Sequence, residues 1–183
     1  MDRVCGFLTL VEAKNSVGRQ IPLDVVVANG WVTPNPINLP IGLKSGEVPI
    51  GENLFVDNGR QLLAYCIGNK APVSDYVIAK FGVGLGDAVP NTADVGLEDP
   101  LTFYDSDSDT IADAQFKPID SITFPAPFLV RVLFTLAATE ANDNLITELG
   151  LFSGNETLIA RRVITGLNKQ DDFAPTLAWN IRL

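Results

Sequence analysis

The stretch Leu177-Ala-Trp-Asn-Ile-Arg-Leu183 alternates strictly between two kinds of residue. Its odd-numbered residues are large and apolar, whereas its even-numbered residues are small or polar. Side chains on a strand point alternately to opposite faces of the sheet, so this period of two predicts a strand with one buried face. Because the alternation continues to Leu183, we expect this segment to be a sheet strand rather than a free tail.

A second run, Phe128–Leu136, shows the same period. Its even-numbered residues are apolar and predict a core face, while Arg131 on the other side predicts a face that is only partly buried. The preceding Phe124-Pro-Ala-Pro127 predicts an extended entry into this strand, because proline cannot donate to a sheet ladder and is placed at strand starts. Further strands are predicted over Gln61–Ile67 and Tyr76–Phe81.

A hairpin is predicted in the C-terminal third of the chain. Ile146–Phe152 and Thr157–Thr165 are rich in β-prone residues, and Ser153-Gly-Asn-Glu156 joins them with residues typical of tight turns.

The second strand of this hairpin carries two adjacent arginines, Arg161 and Arg162. Neighbouring residues of a strand point to opposite faces, so at least one of them lies near a buried side or an interface. A buried guanidinium needs a carboxylate or carbonyl partner. Glu148, across the hairpin, is the predicted partner.

The N-terminal part of the chain is less regular. Short helices are predicted over Leu8–Ser16 and Leu23–Gly30, the second ending at a glycine as helices often do, although its three consecutive valines are equally strand-like. Prolines and glycines interrupt residues 36–60. We therefore predict a mainly β protein with little helix: an antiparallel β-sandwich or barrel-like body over residues 61–183, after a loop-rich N-terminal attachment or oligomerisation region, residues 1–60.

Composition excludes several classes of protein. The 183 residues suffice for one domain with a core, and 46% hydrophobic residues are too many for a disordered chain. Two cysteines make no disulfide scaffold, and no apolar run reaches the ~18 residues of a membrane helix. The N-terminus has no secretory pattern. The expectation is a soluble, non-secreted protein made in a reducing compartment.

The chain contains no histidine, which excludes Ser-His-Asp and Cys-His catalysis and any zinc site that needs imidazole. No pair of carboxylates stands out as an acid/base couple, so we expect no enzymatic activity and no cofactor. Cys5 and Cys66 have no CxxC spacing and are expected to be buried free thiols.

Negative charge is concentrated in one segment. The net charge is −9, and residues 81–116 contain no Lys or Arg. This distribution argues against nucleic-acid binding, which depends on basic side chains. Asp105, Asp107 and Asp109 alternate as in a calcium loop and are candidate metal ligands. An EF-hand would require Gly and Glu where Thr110 and Phe116 stand, so a solvated acidic loop is the competing interpretation.

Two further patterns have structural interpretations. Gly82-Val-Gly-Leu-Gly-Asp87 follows a predicted strand, but Asp87 stands where a phosphate-binding loop needs its third glycine, so a turn with positive-φ glycines is predicted. Several aromatic residues are predicted to lie in the core or at subunit contacts rather than on a ligand platform. They are Phe7, Trp31, Phe55, Phe81 and Phe116.

Several segments of the C-terminal half resemble tail-fibre and baseplate-associated proteins of bacteriophages. Lys80–Leu97 is similar to their glycine-rich segment with its acidic linker and aligned leucine, and Ile146–Phe152 resembles their "I-x-E-x-G-L-F" strand. Leu158–Arg161 is similar to the "L-hydrophobic-A-R" strand that follows. Lys169 and Trp179 resemble the closing "K…W-x-I". The resemblance covers about residues 80–183.

This resemblance implies a non-enzymatic virion protein, assembled in the cytoplasm of the host bacterium and located in the virion. Such proteins are homo-oligomers, often trimers, so the implied partners are copies of itself and other virion proteins, with no nucleic acid and no membrane. The implied location is the tail, baseplate or fibre, or the capsid as a decoration or cement protein. Candidate anchors at the interfaces are Trp31, Phe55 and Arg131.

Two alternatives from other functional classes stay open at this point. One is a carbohydrate-binding module that recognises the host surface, with Trp31 or Tyr104 stacking on sugar. The other is a metal-dependent enzyme built on the acidic segment.

Overall fold

A computed structural model describes residues 5–34, 47–68, 72–107 and 112–182. Within these residues it contains nine strands and two α-helices, and every strand pair is antiparallel. In chain order the elements are β1 (Cys5–Lys14), α1 (Leu23–Ala28), β2 (Val48–Phe55), α2 (Asp57–Ile67), β3 (Ile78–Gly84), β4 (Lys117–Pro118), β5 (Ser121–Ala126), β6 (Leu129–Thr135), β7 (Asn144–Ser153), β8 (Leu158–Lys169) and β9 (Ala174–Arg182). The predicted mainly β class is confirmed.

The strands follow the order β4-β3-β7-β8-β2-β1-β9-β6-β5 and fold into two packed layers. The layers are joined where β2 meets β8, through a short pairing at Leu54 and Phe55. The two layers pack face to face. The ring of Phe81 on β3 lies 4.5 Å from the ring of Phe134 on β6, although β3 and β6 lie near opposite ends of the strand order. The predicted sandwich-like body is confirmed.

The two outer ends of this strand order come together through the short link between β4 and β5. The Ile119 N–H donates to the carbonyl of Ala79 on β3, at 3.1 Å. The next residue, Asp120, donates its N–H to the carbonyl of Leu133 on β6, at 2.8 Å. One short segment therefore bridges both layers, which gives the sandwich a barrel-like closure.

The alternating stretch at the end of the chain forms β9, in the interior of the sheet between β1 and β6. Leu177 and Trp179 on its predicted core face are fully buried. Ala178 and Asn180 on the opposite face are fully buried too. The strand prediction is confirmed, but both faces of β9 are covered.

The strand predicted over Phe128–Leu136 is confirmed as β6, with differences at its start. Val132 and Phe134 are fully buried, as predicted for the core face. Phe128 was expected on that face, but it lies in the turn before β6 and is 74% exposed. The predicted proline-rich entry is β5 and its turn, so β5 and β6 form a hairpin. Two prolines are tolerated there because β5 is an outer strand.

Two predictions of secondary structure are wrong. The predicted helix Leu8–Ser16 lies mostly within β1, which pairs with both β2 and β9. The sequence pattern there is ambiguous because both faces of β1 are buried. The predicted strand Gln61–Ile67 is the second half of α2, whose Leu62 is buried. The predicted helix at Leu23 is confirmed as α1.

The predicted domain boundary at residue 60 falls inside α2. Strands from both sides of this boundary share one sheet, since β1 and β2 lie between β8 and β9 in the strand order. The N-terminal strands therefore belong to the same β body as the residues after 60.

Candidate functional site

Glu148, the partner predicted for Arg161 or Arg162, pairs with Arg161, and the two form the centre of an ionic cluster. Arg161 donates from Nε to Glu148 Oε2 at 2.6 Å, and its Nη2 lies 2.6 Å from the same oxygen. Glu148 is fully buried and Arg161 is 3% exposed. On the paired strands β7 and β8, Arg161 stands opposite Gly150 and Glu148 opposite Val163, so the two charged side chains are diagonal neighbours across the hairpin.

Two further carboxylates complete this cluster. Arg161 Nη1 donates to Asp94 at 2.9 Å, and Glu98 lies 3.5 Å from Nη2. We call the four side chains, Asp94, Glu98, Glu148 and Arg161, the clasp. Burial lowers the pKa of Arg161, but the hydrogen bonds that its guanidinium donates to Asp94 and Glu148, together with the charges of these carboxylates, outweigh burial and raise the pKa above its usual value. The guanidinium therefore stays charged, and the clasp is a fixed ionic joint.

The clasp attaches the acidic segment to the sheet. Glu148 accepts the backbone N–H groups of Glu98 at 2.8 Å and Asp99 at 3.2 Å. The glycines predicted to adopt positive φ do not do so: Gly84 lies in β3, and its φ is not positive. A Cβ on Gly84 would overlap Glu148 Oε1 and the carbonyl of Asp99, so glycine is needed for close approach.

A cavity of about 410 Å³ opens beside the clasp. Arg161 and the acidic segment line it, and two valines at its margin, Val89 and Val95, are 87% and 78% exposed. We call this cavity the loop pocket. Its lining is mostly small and apolar, and its polar side chains are those of Asp94, Glu98 and Arg161.

A second buried ion pair lies on the opposite layer. Arg131 and Glu47 have side chains that are 5% exposed, with Arg131 Nη2 2.5 Å from Glu47 Oε1. Thr9 donates to Glu47 at 3.1 Å, and Arg131 donates to Asn180 at 3.3 Å. Arg131, predicted to lie on a partly buried face and to be an interface anchor, is therefore enclosed within one copy and has partners there.

Lys169 is a fully buried ammonium with three hydrogen-bond acceptors. It donates to the carbonyls of Ala138 at 3.1 Å and Gln170 at 2.9 Å, and to Asn142 Oδ1 at 2.7 Å. Burial lowers its pKa from 10.5 to about 8, although the nearby carboxylates of Glu140 and Asp171 act in the opposite direction. The ammonium form holds together the loop between β6 and β7.

The lowered pKa of Lys169 predicts that stability increases with pH. Between about pH 8 and 10.5 the folded protein has released this proton while the unfolded chain still binds it, so the free energy of unfolding rises. Urea unfolding from about pH 7.5 to 10 measures the effect. The increase of the free energy of unfolding with pH should be lost in Lys169→Met. It should be kept in the control variant Lys14→Met, because the Lys14 side chain is 47% exposed. Equal pH slopes in both variants would contradict the assignment.

The hairpin tip before β6 is the most exposed apolar feature among the described strands. Every residue from Ser121 to Phe128 is exposed, including Phe124 at 75% and Phe128 at 74%. We call Ser121–Phe128 the arm. Sequence reasoning missed it as a surface, because Phe128 was predicted on the core face of the next strand and Phe124–Pro127 as an extended entry into that strand. The prolines were the signal that an outer strand was present.

The structure describes two of the three predicted metal ligands. Asp105 and Asp107 are described, whereas Asp109 lies outside the described residues. Among the residues that the structure describes, no three Cys, Asp or Glu side chains are grouped as metal ligands. The loop is closed by Asp113, which accepts the N–H and the hydroxyl of Ser106 at 2.8 and 2.7 Å; these hydrogen bonds lower the pKa of Asp113.

The aromatic residues and cysteines singled out from the sequence take different positions. Phe7 and Phe81 are buried, as predicted for core residues. Trp31 is half-buried with its ring centroid 5.1 Å from that of Phe173, and Tyr104 is half-buried with the Lys117 ammonium 5.6 Å from its ring. Phe116 is half-buried. Cys66 is a free thiol, as predicted, but it is half-buried rather than buried. The side chains of Cys5 and Phe55 lie outside the described residues.

Comparison with protein-family models, curated proteins and solved structures finds no match to this chain. In the described residues, no helix is both long and apolar enough to cross a membrane.

Proposed function

We propose that this protein is a non-enzymatic structural component of a bacteriophage virion, which works as a homo-oligomer docked on a larger particle. The observation that carries the proposal is the arm, in which Ile122, Phe124 and Phe128 are exposed together. Grouped apolar side chains on the surface of a soluble protein mark an interaction site. The resemblance of residues 80–183 to virion proteins supports the phage context.

The backbone of the arm also supports a role in association. Phe128 has φ 64°, in the left-handed region where a bulky residue is an outlier. Holding a residue with a side chain there costs on the order of 1–2 kcal/mol. Within one copy this conformation presents the aromatic ring of Phe128 to solvent, where it is available to a partner.

The proposed partners are other copies of the chain, arranged as a trimer, and a virion protein of the tail, baseplate or fibre, or the capsid. The reading frames beside the gene test this location. Neighbouring tail genes would support a location in the tail, baseplate or fibre, whereas a major capsid gene directly upstream would support a location on the capsid. Neighbours that encode neither kind of virion protein would contradict the virion assignment.

A carbohydrate-binding module that recognises the host surface is the alternative. Sugar stacking needs an open aromatic face, and Trp31 already packs on Phe173. The arm favours association instead, because Ile122, Pro125, Ala126 and Pro127 accompany its two rings. Glycan-array binding that is lost on replacing Trp31 or Tyr104 would favour the alternative.

Association through the arm is tested by mass in solution. By light scattering at micromolar concentration, the wild type should exceed the 19.7 kDa of one chain, and Phe124→Ser should weaken association about 10- to 100-fold, because a buried phenyl ring is lost. Val17→Ser is the matched control, since Val17 is 75% exposed outside the arm. A monomeric wild type would overturn the proposal.

Phe128→Gly separates the stability of one copy from association. Glycine adopts positive φ without strain, so the free energy of unfolding of one copy should rise by about 1 kcal/mol, while association weakens because the ring is gone. Denaturant unfolding at a concentration that dissociates the oligomer and light scattering give the two readouts. Weakened folding together with unchanged association would show that Phe128 serves the hairpin alone.

A further inference from the structure

We propose that the side chains of Lys169 and Asn142 join in an intramolecular isopeptide bond, with loss of ammonia. The bond ties the end of β8 to the loop between β6 and β7 within one copy. It goes beyond the proposed function, because it does not depend on whether copies associate. The reaction requires an amine nucleophile, an amide carbon within its reach and a group that carries a proton, and the described residues supply all three.

The amine and the amide are already in contact. Lys169 Nζ donates to Asn142 Oδ1 at 2.7 Å, so the amide carbon, one bond further, lies about 3–4 Å from the nitrogen. Reacting atoms in near-attack geometry are about 3–3.5 Å apart. The carbonyl of Ala138 accepts from both groups, from Nζ at 3.1 Å and from Asn142 Nδ2 at 2.8 Å. One acceptor therefore holds the amine beside the amide.

The backbone fixes the two residues next to each other. Lys169 pairs with Asn144 at the start of β7, and its carbonyl accepts the N–H of Asp143 at 3.1 Å. Asn142 lies between Ala141 and Asp143, whose φ angles of 53° and 60° are in the left-handed region that residues with a side chain rarely adopt. Strained backbone of this kind clusters at functional sites. Here it turns the loop so that the amide of Asn142 meets Lys169.

The surroundings of Lys169 supply the amine in its reactive form. Only a neutral amine has the lone pair that attacks a carbonyl carbon. Lys169 is fully buried, and burial lowers its pKa to about 8 against the opposing charges of Glu140 and Asp171. At pH 7 about a tenth of the molecules therefore carry the neutral amine, compared with about one in 3,000 for an ordinary lysine.

Glu140 is placed to carry the proton. It lies two residues before Asn142, its side chain is 11% exposed, and its negative charge acts on Lys169. Its Oε2 accepts from Lys117 at 2.8 Å and from the N–H of Ala137 at 2.7 Å. These two hydrogen bonds fix the carboxylate and leave its Oε1 to accept a proton.

The atoms of the reaction balance without a further reactant. Nζ attacks the amide carbon of Asn142, and Glu140 takes a proton from Nζ and passes it to the amide nitrogen. The bond between the amide carbon and that nitrogen breaks, and ammonia leaves. The product is a secondary amide between the two side chains.

The joined chain has one fewer titrating group. Lys169 no longer binds a proton once it is acylated, so the increase of stability between about pH 8 and 10.5 is expected only of the chain without the bond. The comparison of Lys169→Met with Lys14→Met is therefore made with Asn142→Ala present in both.

Mass spectrometry of the denatured protein tests the bond. After incubation at pH 8 the wild type should weigh about 17 Da less than its sequence, the mass of the ammonia lost. After trypsin, residues 132–161 and 163–182 should form one joined peptide, because acylated Lys169 is not cleaved. Asn142→Ala should show neither change. Asn168→Ala, also half-buried and next to Lys169, is the matched control and should keep both.

Two carboxylate variants test the proton carrier. Glu140→Gln should slow the loss of ammonia at least 10-fold, since proton transfer by a positioned group contributes about 10²–10⁴-fold to a rate. Asp171→Asn should not, although Asp171 also acts on Lys169, because it is exposed. Circular dichroism confirms that the variants are folded.

The outcomes separate the bond from other chemistry. An unchanged wild-type mass after incubation overturns the proposal. A loss of about 17 Da that persists in Lys169→Met, with no joined peptide, indicates that Asn142 cyclised onto its own backbone and overturns the proposal too. A joined peptide that forms equally fast in Glu140→Gln and Asp171→Asn establishes the bond and excludes Glu140 as the proton carrier.

Discussion

Replacing Glu148 with glutamine is expected to lower the free energy of unfolding by about 3–5 kcal/mol. The carboxylate is fully buried and accepts from Arg161 and from the backbone N–H groups of Glu98 and Asp99. Glutamine keeps the shape but removes the charge that neutralises the guanidinium, and its NH₂ group would face other donors. Chemical denaturation measures the change.

The control for this variant is another ion pair of the same β body. Lys80 and Glu156 are 2.7 Å apart, and their side chains are 30% and 50% exposed. Glu156→Gln should change stability by less than about 1 kcal/mol, because exposed pairs contribute little. Equal losses in Glu148→Gln and Glu156→Gln would show that the clasp does not stabilise the fold.

The Glu148 variant also has a local readout. Detachment of the acidic segment should expose the backbone at Glu98 to a glutamate-specific protease before global unfolding, since regions open with their own free energies. Cleavage at Glu98 that is no faster than in the wild type would contradict the role of the clasp in holding this segment.

Removing residues 180–183 is expected to abolish cooperative folding. Asn180 and Ile181 are buried and pair with β1 on one side and β6 on the other. The deletion removes ladder hydrogen bonds to two strands, the burial of Ile181, and the side-chain oxygen of Asn180 that accepts from Arg131. We expect the free energy lost with these interactions to exceed the net stability of a typical domain, about 5–15 kcal/mol. Far-UV circular dichroism during denaturation should show no sigmoidal transition.

Point variants keep this prediction informative if the shortened chain cannot be purified. Ile181→Ala should lower the free energy of unfolding by about 2–5 kcal/mol, as for other large-to-small core changes. Arg182→Ala, next to it and exposed, should stay within about 0.5 kcal/mol of the wild type. A cooperative transition in the shortened chain, at wild-type stability, would mean that β9 is not an essential interior strand.

Local sequence pattern predicted the elements whose two sides differ in polarity. The hairpin of β7 and β8 follows from two β-prone runs and a turn, and its register brings Glu148 to Arg161. Where large apolar residues lie on both faces, as Phe7 and Leu8 do in β1, the alternation between apolar and polar residues is lost, and most of β1 was predicted as a helix. The strand predicted at Gln61–Ile67 was wrong, because these residues belong to α2. Of their apolar side chains, only that of Leu62 is buried.

The candidate site likewise contains one contact that the sequence predicted and others that it did not. The pairing of Glu148 with one of the arginines of β8 was predictable because these residues belong to one hairpin. Asp94 and Glu98 come from a segment at least 50 residues before Glu148, and no pattern in the chain specifies that contact. Lys169 gave no sign of burial, since its three acceptors come from a loop and a neighbouring residue.

Composition and short-range alternation alone establish a histidine-free, acidic, mainly β chain, because these properties depend on neighbouring residues and on counts. Long-range packing establishes the two-layer body, the clasp with its loop pocket, and the exposure of the arm. An apolar residue such as Phe124 has the same local pattern in a core and on a surface; which of the two it occupies depends on whether another strand covers it, and that is a property of the folded chain.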